Sequence, residues 1–248
     1  MNELDAGQYT HKEIEKYEAV YGRNFVSPGG LQGAQEFCAL LDLQPGMRVL
    51  DVGCGIGGGA FHMAQQYGVS VDGIDLSTNM LALARARCAE LGLNAAVNFI
   101  HGDILEFQPS HPYDRIYSRD VFLHIHDKAN LFARLKASLL PGGKLLFTDY
   151  CCGEGEKSAE FASYIQQRHY ALCSVAEYGA LLKAAGFVNV LAEDRTAHFI
   201  EILQREAANL QLTALDGDTQ TELYQSWQSK IKRAQHGERR WGLFWAVA

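Results

Sequence analysis

The sequence predicts an α/β fold in which a parallel sheet carries helices on both faces. Two observations predict it. Residues 49–52 form a short apolar run that enters a glycine-rich turn at 53–59, a pattern typical of a buried strand that turns sharply into a helix. Further apolar runs alternate with helical segments as far as residue 148, and strands that alternate with helices form a parallel sheet joined by crossovers.

Each element follows from its local pattern. Strands are predicted at 49–52, 69–75, 97–100, 114–118, 144–148, 188–192 and 241–246. Helices are predicted at 12–21 and 30–43, from the glycine turn to 67, and at 77–91, 128–140, 158–171, 174–186, 198–211 and 219–234. Ser77 suits an N-cap and Gly92 the end of the same helix, while Ser174 and Glu177 have the spacing of a capping box.

Composition excludes several classes of protein. With 248 residues, of which 48% are hydrophobic, the chain can form one domain with a sizeable core. The net charge of -7 argues against nucleic acid as a partner, because phosphate backbones are bound by clustered Lys and Arg. The sequence shows no signal peptide and no apolar run near the roughly 18 residues that a membrane helix needs. We therefore expect a cytoplasmic protein, without a membrane partner, and a monomer.

The cysteines and histidines do not suggest a metal site. The six cysteines include no Cys-x-x-Cys pair, so a zinc site is not expected, and most of them should be small buried hydrophobic residues. His124 and His126 have the spacing of a metal pair, but no third ligand accompanies them. We expect no metal.

Three acids narrow the ligand that the glycine turn can hold. The glycines of 53–58 fit the pattern G-x-G-x-x-G, which is weak evidence by itself. Asp51 lies just before the turn, where its carboxylate would repel a pyrophosphate and attract an amine. Asp75 ends the second strand, where an acid can hold ribose hydroxyls, and Asp103 follows the third, where an acid can accept from an adenine amino group. This set resembles the S-adenosylmethionine (SAM) site of Rossmann-like methyltransferases.

That resemblance implies the rest of the architecture. It implies a Rossmann-like, seven-stranded methyltransferase sheet whose last strand is antiparallel, and the two strands after the fifth fit it. We expect a single domain over 1–248, with residues 1–30 as an N-terminal lid segment. The segments 151–187 and 197–236 are expected to be helical insertions that cap the substrate.

A second, more specific resemblance runs from about Gln8 to Phe244. Its motifs occur in the same order and with similar spacing as in phosphoethanolamine N-methyltransferases of plants, nematodes and malaria parasites. They are Gln8-Tyr9-Thr10, Tyr17-Glu18, Ser27-Pro28-Gly29-Gly30-Leu31, Tyr117-Ser118-Arg119-Asp120 with His124, Thr148-Asp149-Tyr150, Gln167-Arg168-His169-Tyr170, Lys230-Ile231-Lys232 and Arg240-Trp241-Gly242. The family that the chain resembles converts phosphoethanolamine stepwise to phosphocholine, with one SAM consumed and one S-adenosylhomocysteine formed per step.

The resemblance implies a role for individual residues. It implies that Tyr9 and His124 form a catalytic dyad that closes the site and assists deprotonation of the amine. The implied phosphobase contacts are Gln8, Tyr17, Asp120, Tyr150, Arg168, Tyr170 and Lys230. The implied SAM contacts are Val26, Ser27, Gly53, Asp75, Leu76, Asp103, Ile104 and Arg119, to which the glycine turn adds Asp51 and Gly55.

The chemistry of methyl transfer to an amine suits these residue types. An alkylammonium with a pKa of about 10.4 must lose its proton, at a cost of about 4–5 kcal/mol at pH 7. A histidine can accept that proton and raise the rate by roughly 10²–10⁴. The planar fork of Arg168 suits a phosphate, which stays in place while the amine gains methyl groups.

Other functions remain open at this point. Another small-molecule methyltransferase, acting on glycine, sarcosine or a lipid carbon, would bind SAM equally well but would not need Arg168, Tyr170 and Lys230 together. A non-catalytic SAM-binding module would need neither Tyr9 nor His124. An NAD-linked oxidoreductase would share only the glycine turn.

Overall fold

A computed structural model describes residues 10–248, and these form a seven-stranded sheet. The strands are β1 (Arg48–Val52), β2 (Ser70–Asp75), β3 (Val97–His101), β4 (Tyr113–Arg119), β5 (Leu139–Cys152), β6 (Val188–Asp194) and β7 (Arg239–Val247). Their order across the sheet is β3-β2-β1-β4-β5-β7-β6. Strands β1 to β5 are parallel, and β7 runs antiparallel to both β5 and β6, which confirms the predicted architecture.

Helices cover both faces of this sheet. They are α1 (His11–Tyr21), α2 (Gly30–Ala39), α3 (Gly58–Tyr67), α4 (Thr78–Glu90), α5 (Lys128–Ala137), α6 (Ala159–Gln167), α7 (Val175–Ala184), α8 (Thr196–Asn209) and α9 (Gly217–Gln235), with single 3₁₀ turns at Phe122–His124 and Leu210–Leu212. Along β1, Val49 packs into one core with Phe37 of α2, whereas Leu50 packs into the other with Phe132 of α5. Successive side chains of a strand point to opposite faces, so each face of the sheet has its own core.

The predicted caps are confirmed. The Ser77 hydroxyl accepts a hydrogen bond from the Met80 N–H at 3.1 Å, and Gly92 follows the end of α4 with a φ of 67°. Ser174 and Glu177 each accept from the other's backbone N–H, at 3.1 Å and 2.6 Å, and start α7. Caps of this kind satisfy N–H groups that have no partner within the first turn of a helix.

The helix predicted at 158–171 is shorter than expected. It ends at Gln167, because His169 adopts a left-handed φ of 52° and the Tyr170 N–H bonds to the Ile165 carbonyl at 3.1 Å. This is the bond that closes a helix whose next residue is left-handed. Arg168 therefore caps α6 and Tyr170 lies beyond it, so the prediction that both lie within the helix is wrong.

Two other predicted helix ends are wrong by several residues. The helix predicted at 128–140 ends at Ala137, and β5 begins at Leu139, which pairs with Tyr113 across an irregularity in the ladder. The apolar Leu139 is buried in the sheet's core, and the free energy gained by this burial outweighs the helical preference of the local sequence. The helix predicted at 30–43 ends at Ala39, before Asp42 with its left-handed φ of 52°. Within residues 10–248, every helix is too short or too polar to span a lipid bilayer.

Candidate active site

A cavity of about 550 Å³ lies at the carboxyl ends of β1, β2, β4 and β5. β1 lies between β2 and β4, so the order of the strands reverses at β1. In sheets of this kind, ligands bind at the carboxyl ends of the strands where the order reverses. The predicted cofactor residues that line it are Val26, Ser27, Gly53, Gly55, Asp75, Leu76, Asp103, Ile104 and Arg119. The predicted reaction and substrate residues that line it are Tyr17, Asp120, His124, Tyr150, Arg168, Tyr170 and Lys230. Gln8 and Tyr9 lie outside the described residues.

The glycine turn forms one wall of the cavity. Gly53 has a φ of 69°, and a Cβ there would lie 2.2 Å from the Val121 side chain, so a larger residue would need both strain and a shift. The Gly55 N–H donates to Asp75 Oδ2 at 2.8 Å, and the Ser77 N–H donates to Asp75 Oδ1 at 2.8 Å. These two bonds fix the carboxylate of Asp75 between the glycine turn and the start of α4. A rigid acceptor at the end of β2 can hold the hydroxyls of a ribose.

Asp51 lies behind the turn, beside a smaller space of about 40 Å³ that adjoins the main cavity. It is 3% exposed, and burial, reinforced by the charge of Asp75, raises its pKa to about 7. A carboxylate in this setting is stabilised by a cation placed beside it. Asp51 can therefore hold the amino group of a ligand that extends from the main cavity.

Arg119 borders both spaces and is only 8% exposed. Its guanidinium donates to the carbonyls of Pro28 and Gly30 and lies 5.4 Å from the centre of the Phe37 ring. Its Nε is buried and has no hydrogen-bond partner among residues 10–248. An unsatisfied guanidinium N–H at a cavity wall suits a carboxylate ligand.

His124 ends the 3₁₀ turn that follows β4. Burial, with the nearby charges of Lys128 and Arg168, lowers its pKa to about 4. The imidazole is therefore neutral at pH 7 and can accept a proton. Its ring meets the ring of Tyr170 edge to face, with 5.2 Å between their centres and 80° between their planes.

Asp120 precedes this turn with a left-handed φ of 57°. Its Oδ1 accepts from the Trp241 indole at 2.7 Å and from the Thr148 hydroxyl at 3.2 Å, while Oδ2 is buried without a hydrogen-bond partner among residues 10–248. Burial raises the pKa of this carboxyl. The site therefore presents one fixed, unsatisfied acceptor that would be stabilised by a cationic or N–H-bearing group.

Four cations surround Tyr164 at the far end of the cavity, and we call them the basic cluster: Arg168, Lys230, Arg233 and Arg239. The three guanidinium carbons lie 5.8, 4.3 and 5.3 Å from the centre of the Tyr164 ring, in the order Arg168, Arg233 and Arg239. Lys230 Nζ lies 3.8 Å from the centre of the Trp227 ring, and burial lowers its pKa to about 8.

The basic cluster has too few negative charges to balance it. Arg233 lies 3.7 Å from the exposed Glu160, but within residues 10–248 no carboxylate is ion-paired with the other three cations. Nε of Arg233, and Nε and Nη1 of Arg239, are buried without hydrogen-bond partners among the described residues. Arg239 is fully buried, and buried charges are normally paired, so this cluster is arranged for an anionic ligand.

Sequence reasoning missed three of these residues: Tyr164, Arg233 and Arg239. Helical spacing could have found two of them. Tyr164 lies four residues before Arg168 and Arg233 three residues after Lys230, which puts each on the same helix face as a predicted contact. Arg239 gave no such signal, because an Arg-Arg pair before a strand usually lies in solvent.

This sheet, and a ligand cavity built on its glycine turn, define a Rossmann-like methyltransferase. The family model of mycolic acid cyclopropane synthetase matches residues 30–238. A phosphoethanolamine N-methyltransferase of Triticum aestivum is 47% identical over 97% of this chain and 49% of its own length. That of Plasmodium falciparum is 35% identical over 98% of this chain and 94% of its own length. The chain belongs to the phosphoethanolamine N-methyltransferase family.

Solved structures agree with this. Haemonchus contortus phosphoethanolamine N-methyltransferase 2, in complex with phosphomonomethylethanolamine and S-adenosylhomocysteine, superposes with a TM-score of 0.94 at 36% identity. The match covers 98% of this chain and 58% of that one. A mycolic acid cyclopropane synthase, with a TM-score of 0.82 at 18% identity, shares the fold. The chain spans about half the length of the plant relatives that it matches.

Proposed function

We propose that this protein transfers a methyl group from SAM to the amino nitrogen of phosphoethanolamine and of its mono- and dimethyl derivatives, toward phosphocholine. The observation that carries the proposal is the basic cluster, which faces the same cavity as the glycine turn and lacks a full set of counter-charges. A phosphate dianion supplies that charge. The relatives' names and the phosphobase bound by the Haemonchus contortus enzyme support the same acceptor.

The cofactor half of the cavity suits SAM. Asp75 would hold the ribose, Asp103 and Ile104 the adenine, Asp51 the amino group and Arg119 the carboxylate. The remaining contacts would come from Val26, Ser27, Gly53, Gly55 and Leu76. Bound SAM supplies an electrophilic methyl group on a cationic sulfur. Methyl transfer depends mostly on alignment, and holding two reactants in line can contribute about 7–11 kcal/mol.

His124 is the proposed acceptor of the amine proton. Its pKa of about 4 keeps it neutral, although it also makes the free imidazole a weak base. A bound phosphate would neutralise part of the positive charge at Arg168, one of the groups that lowers the pKa of His124, so substrate binding itself would strengthen the base. The partnership of Tyr9 with His124, and the contact of Gln8 with the phosphobase, stay predictions from the resemblance.

The phosphate end would be anchored by Arg168, Lys230, Tyr150 and Tyr170, with Tyr164 added by the structure. Asp120 and Tyr17 line the cavity as well and would face the cationic end of the acceptor. Charge-assisted hydrogen bonds contribute about 1.5–3 kcal/mol each, and they do not change as the amine gains methyl groups. One site can therefore bind all three acceptors. Glycine and sarcosine carry only a carboxylate and would leave most of the basic cluster without counter-charge.

The segments expected to cap the substrate are part of this proposal. α6 and α9 fall within residues 151–187 and 197–236, and both contribute cavity residues.

From composition, we propose that the protein is a monomer in the cytoplasm and has no nucleic-acid partner. Light scattering coupled to size-exclusion chromatography would test the oligomeric state.

The test is to incubate the purified protein with SAM and each of the three phosphobases, and to identify the products by mass. We expect each productive acceptor to gain 14 Da per methyl group, in step with formation of S-adenosylhomocysteine. Ethanolamine, glycine and sarcosine serve as controls that lack the phosphate. Turnover of a control with none of any phosphobase would refute the proposal.

A further inference from the structure

Lys128 begins α5 and is buried, with 6% of its surface exposed. Its ammonium donates hydrogen bonds to two backbone carbonyls, those of Ile125 and, at 2.8 Å, Ala171. Ile125 directly follows His124, and Ala171 directly follows Tyr170. One side chain therefore bonds to both segments from which the edge-to-face pair of His124 and Tyr170 projects.

The same two segments are joined a second time through the backbone. The Ala171 N–H donates to the Leu123 carbonyl at 2.7 Å. Residues 168–174 lie between α6 and α7 and belong to no helix or strand, so no regular hydrogen-bond ladder sets their position. The bonds at Ala171 tie this segment to the turn of His124, while the Cys152 N–H, which donates to the Cys173 carbonyl at 3.0 Å, ties it to β5.

Tyr178 and Asp149 stabilise the buried ammonium of Lys128. Lys128 Nζ lies 5.8 Å from the centre of the Tyr178 ring, and the Tyr178 hydroxyl donates to the carboxylate of Asp149. Asp149 is fully buried. Burial lowers the pKa of Lys128 and raises that of Asp149, while the attraction between the two charges acts in the opposite direction on both and favours the charged lysine. Keeping a charge buried costs free energy of folding. Here the buried ammonium of Lys128 donates two hydrogen bonds to backbone carbonyls at the edge of the active site.

We propose that Lys128 is a positioning residue of the reaction, which clamps the turn of His124 against the segment of Tyr170 through the carbonyls of Ile125 and Ala171. This rests on the proposed function in that His124 is taken as the proton acceptor. The clamp fixes the direction of the imidazole, and the positive charge of the ammonium disfavours an imidazolium. Lys128 thus affects both the position of His124 and its protonation state.

Several other titratable groups line the same cavity as this imidazole and enter the test. Arg168 and Tyr170 approach from the end of α6, Asp120 lies on the cavity wall before the turn, and His126 and Asp127 follow it. Arg168 also lowers the pKa of His124, and all five are unchanged in a variant of Lys128 alone.

The first variant is Lys128→Met, which keeps the apolar stem and removes the ammonium. We expect kcat to fall about 10²-fold, as for a reacting group that is misplaced by about 1 Å, while the dissociation constant of SAM stays within twofold. The pKa of His124, followed by proton–carbon NMR of the imidazole, should move upward from about 4 toward its ordinary range. Lys136→Met is the control, because Lys136 lies on the same helix and its ammonium also donates to a backbone carbonyl, that of Gly186.

A second variant keeps the inference testable if Lys128→Met does not fold. Lys128→Gln retains a donor and loses the charge, so the pKa of His124 should rise while kcat falls by less than in Lys128→Met. An unchanged His124 pKa and kcat within threefold of wild type in either variant would overturn the proposal. Equal losses of kcat and SAM affinity would also overturn it. The NMR titration needs no turnover, whereas failure of the proposed function appears as a wild-type protein that methylates no phosphobase.

Discussion

Arg239 donates a hydrogen bond from Nη2 to the hydroxyl oxygen of Tyr164 at 3.2 Å. Because a guanidinium has only donors, the tyrosine oxygen must accept, and its own proton is available for another acceptor. Arg239 is fully buried from bulk solvent, yet its side chain lines the cavity beside Tyr164. Its guanidinium carbon lies 4.6 Å from the centre of the Tyr150 ring, so Arg239 contacts both Tyr150 and Tyr164. We infer that it prepares the two tyrosines to bind phosphate.

Replacing Arg239 should therefore weaken phosphobase binding. In Arg239→Met, the lost charge and hydrogen bond, worth about 1.5–3 kcal/mol, should raise the phosphobase KM by about 10- to 100-fold. SAM affinity, measured by calorimetry, should change less than twofold. Arg240→Met is the matched control, since Arg240 lies 3.7 Å from Asp194, outside the cavity. Similar KM values for the two variants would show that Arg239 has no role in the phosphate site.

Phosphate affinity should fall as the pH rises through 8. Lys230 has a pKa of about 8, so it loses its positive charge above that pH. Burial opposes ionisation of Tyr164, but the positive charges of Arg239, Lys230 and Arg168 outweigh the effect of burial and lower the pKa of Tyr164 to about 8. Tyr164 therefore gains a negative charge over the same pH range. Both changes disfavour a bound dianion.

Phosphocholine is the ligand of choice for this measurement, because its quaternary nitrogen does not titrate and its phosphate titrates near pH 6. We expect its dissociation constant to rise steadily between pH 7 and 9.5. Tyr164→Phe should reduce the slope by removing one of the two titrating groups. A flat profile in the wild-type protein would contradict this account of the basic cluster.

Removing the imidazole of His124 should affect turnover far more than binding. His124→Asn keeps a polar side chain of similar size but cannot take up a proton at neutral pH, so kcat should fall by roughly 10²–10⁴. The dissociation constant of SAM should stay within twofold of wild type. His126→Asn, two residues after His124 and at an exposed position, should retain kcat within threefold. If His126→Asn lost as much activity as His124→Asn, the turn as a whole would matter and not the imidazole.

The sequence predicted the sheet well because its strands are short apolar runs that end in glycines or acids. All seven strands lie where the pattern indicated, although β5 extends beyond both predicted ends, and the acids Asp51, Asp75, Asp103 and Asp120 line the cavity or the space beside it. Helix ends were predicted less well. His169 ends α6 by adopting a left-handed φ, which nothing in its local sequence required, and Leu139 joins β5 because the core buries it.

The basic cluster illustrates a different limit. Arg168 and Lys230 came from the resemblance, whereas Arg239 became visible only in three dimensions. Arginine is usually exposed, and what keeps this one buried is its position between the rings of Tyr150 and Tyr164. Those tyrosines come from β5 and α6, and the nearer of them, Tyr164, lies 75 residues before Arg239 in the sequence. A buried charge of this kind is set by tertiary contacts, which no local pattern encodes.

Binding of SAM should release a proton near neutral pH, and the reason lies in Asp51. Burial and the charge of Asp75 raise its pKa to about 7, so at pH 6.5 a large share of the ligand-free protein carries a protonated Asp51. The ammonium of SAM, in the proposed arrangement, favours the carboxylate and drives the proton off.

The affinity for SAM should consequently increase as the pH rises through 7, since the protonated carboxyl cannot pair with an ammonium. Calorimetry at pH 6.5 in two buffers of different ionisation enthalpy measures the released proton directly. Asp51→Asn should bind SAM more weakly and show the same enthalpy in both buffers. Asp51 would have no role in binding the amino group if the wild-type enthalpy did not depend on the buffer, or if the variant still released the proton.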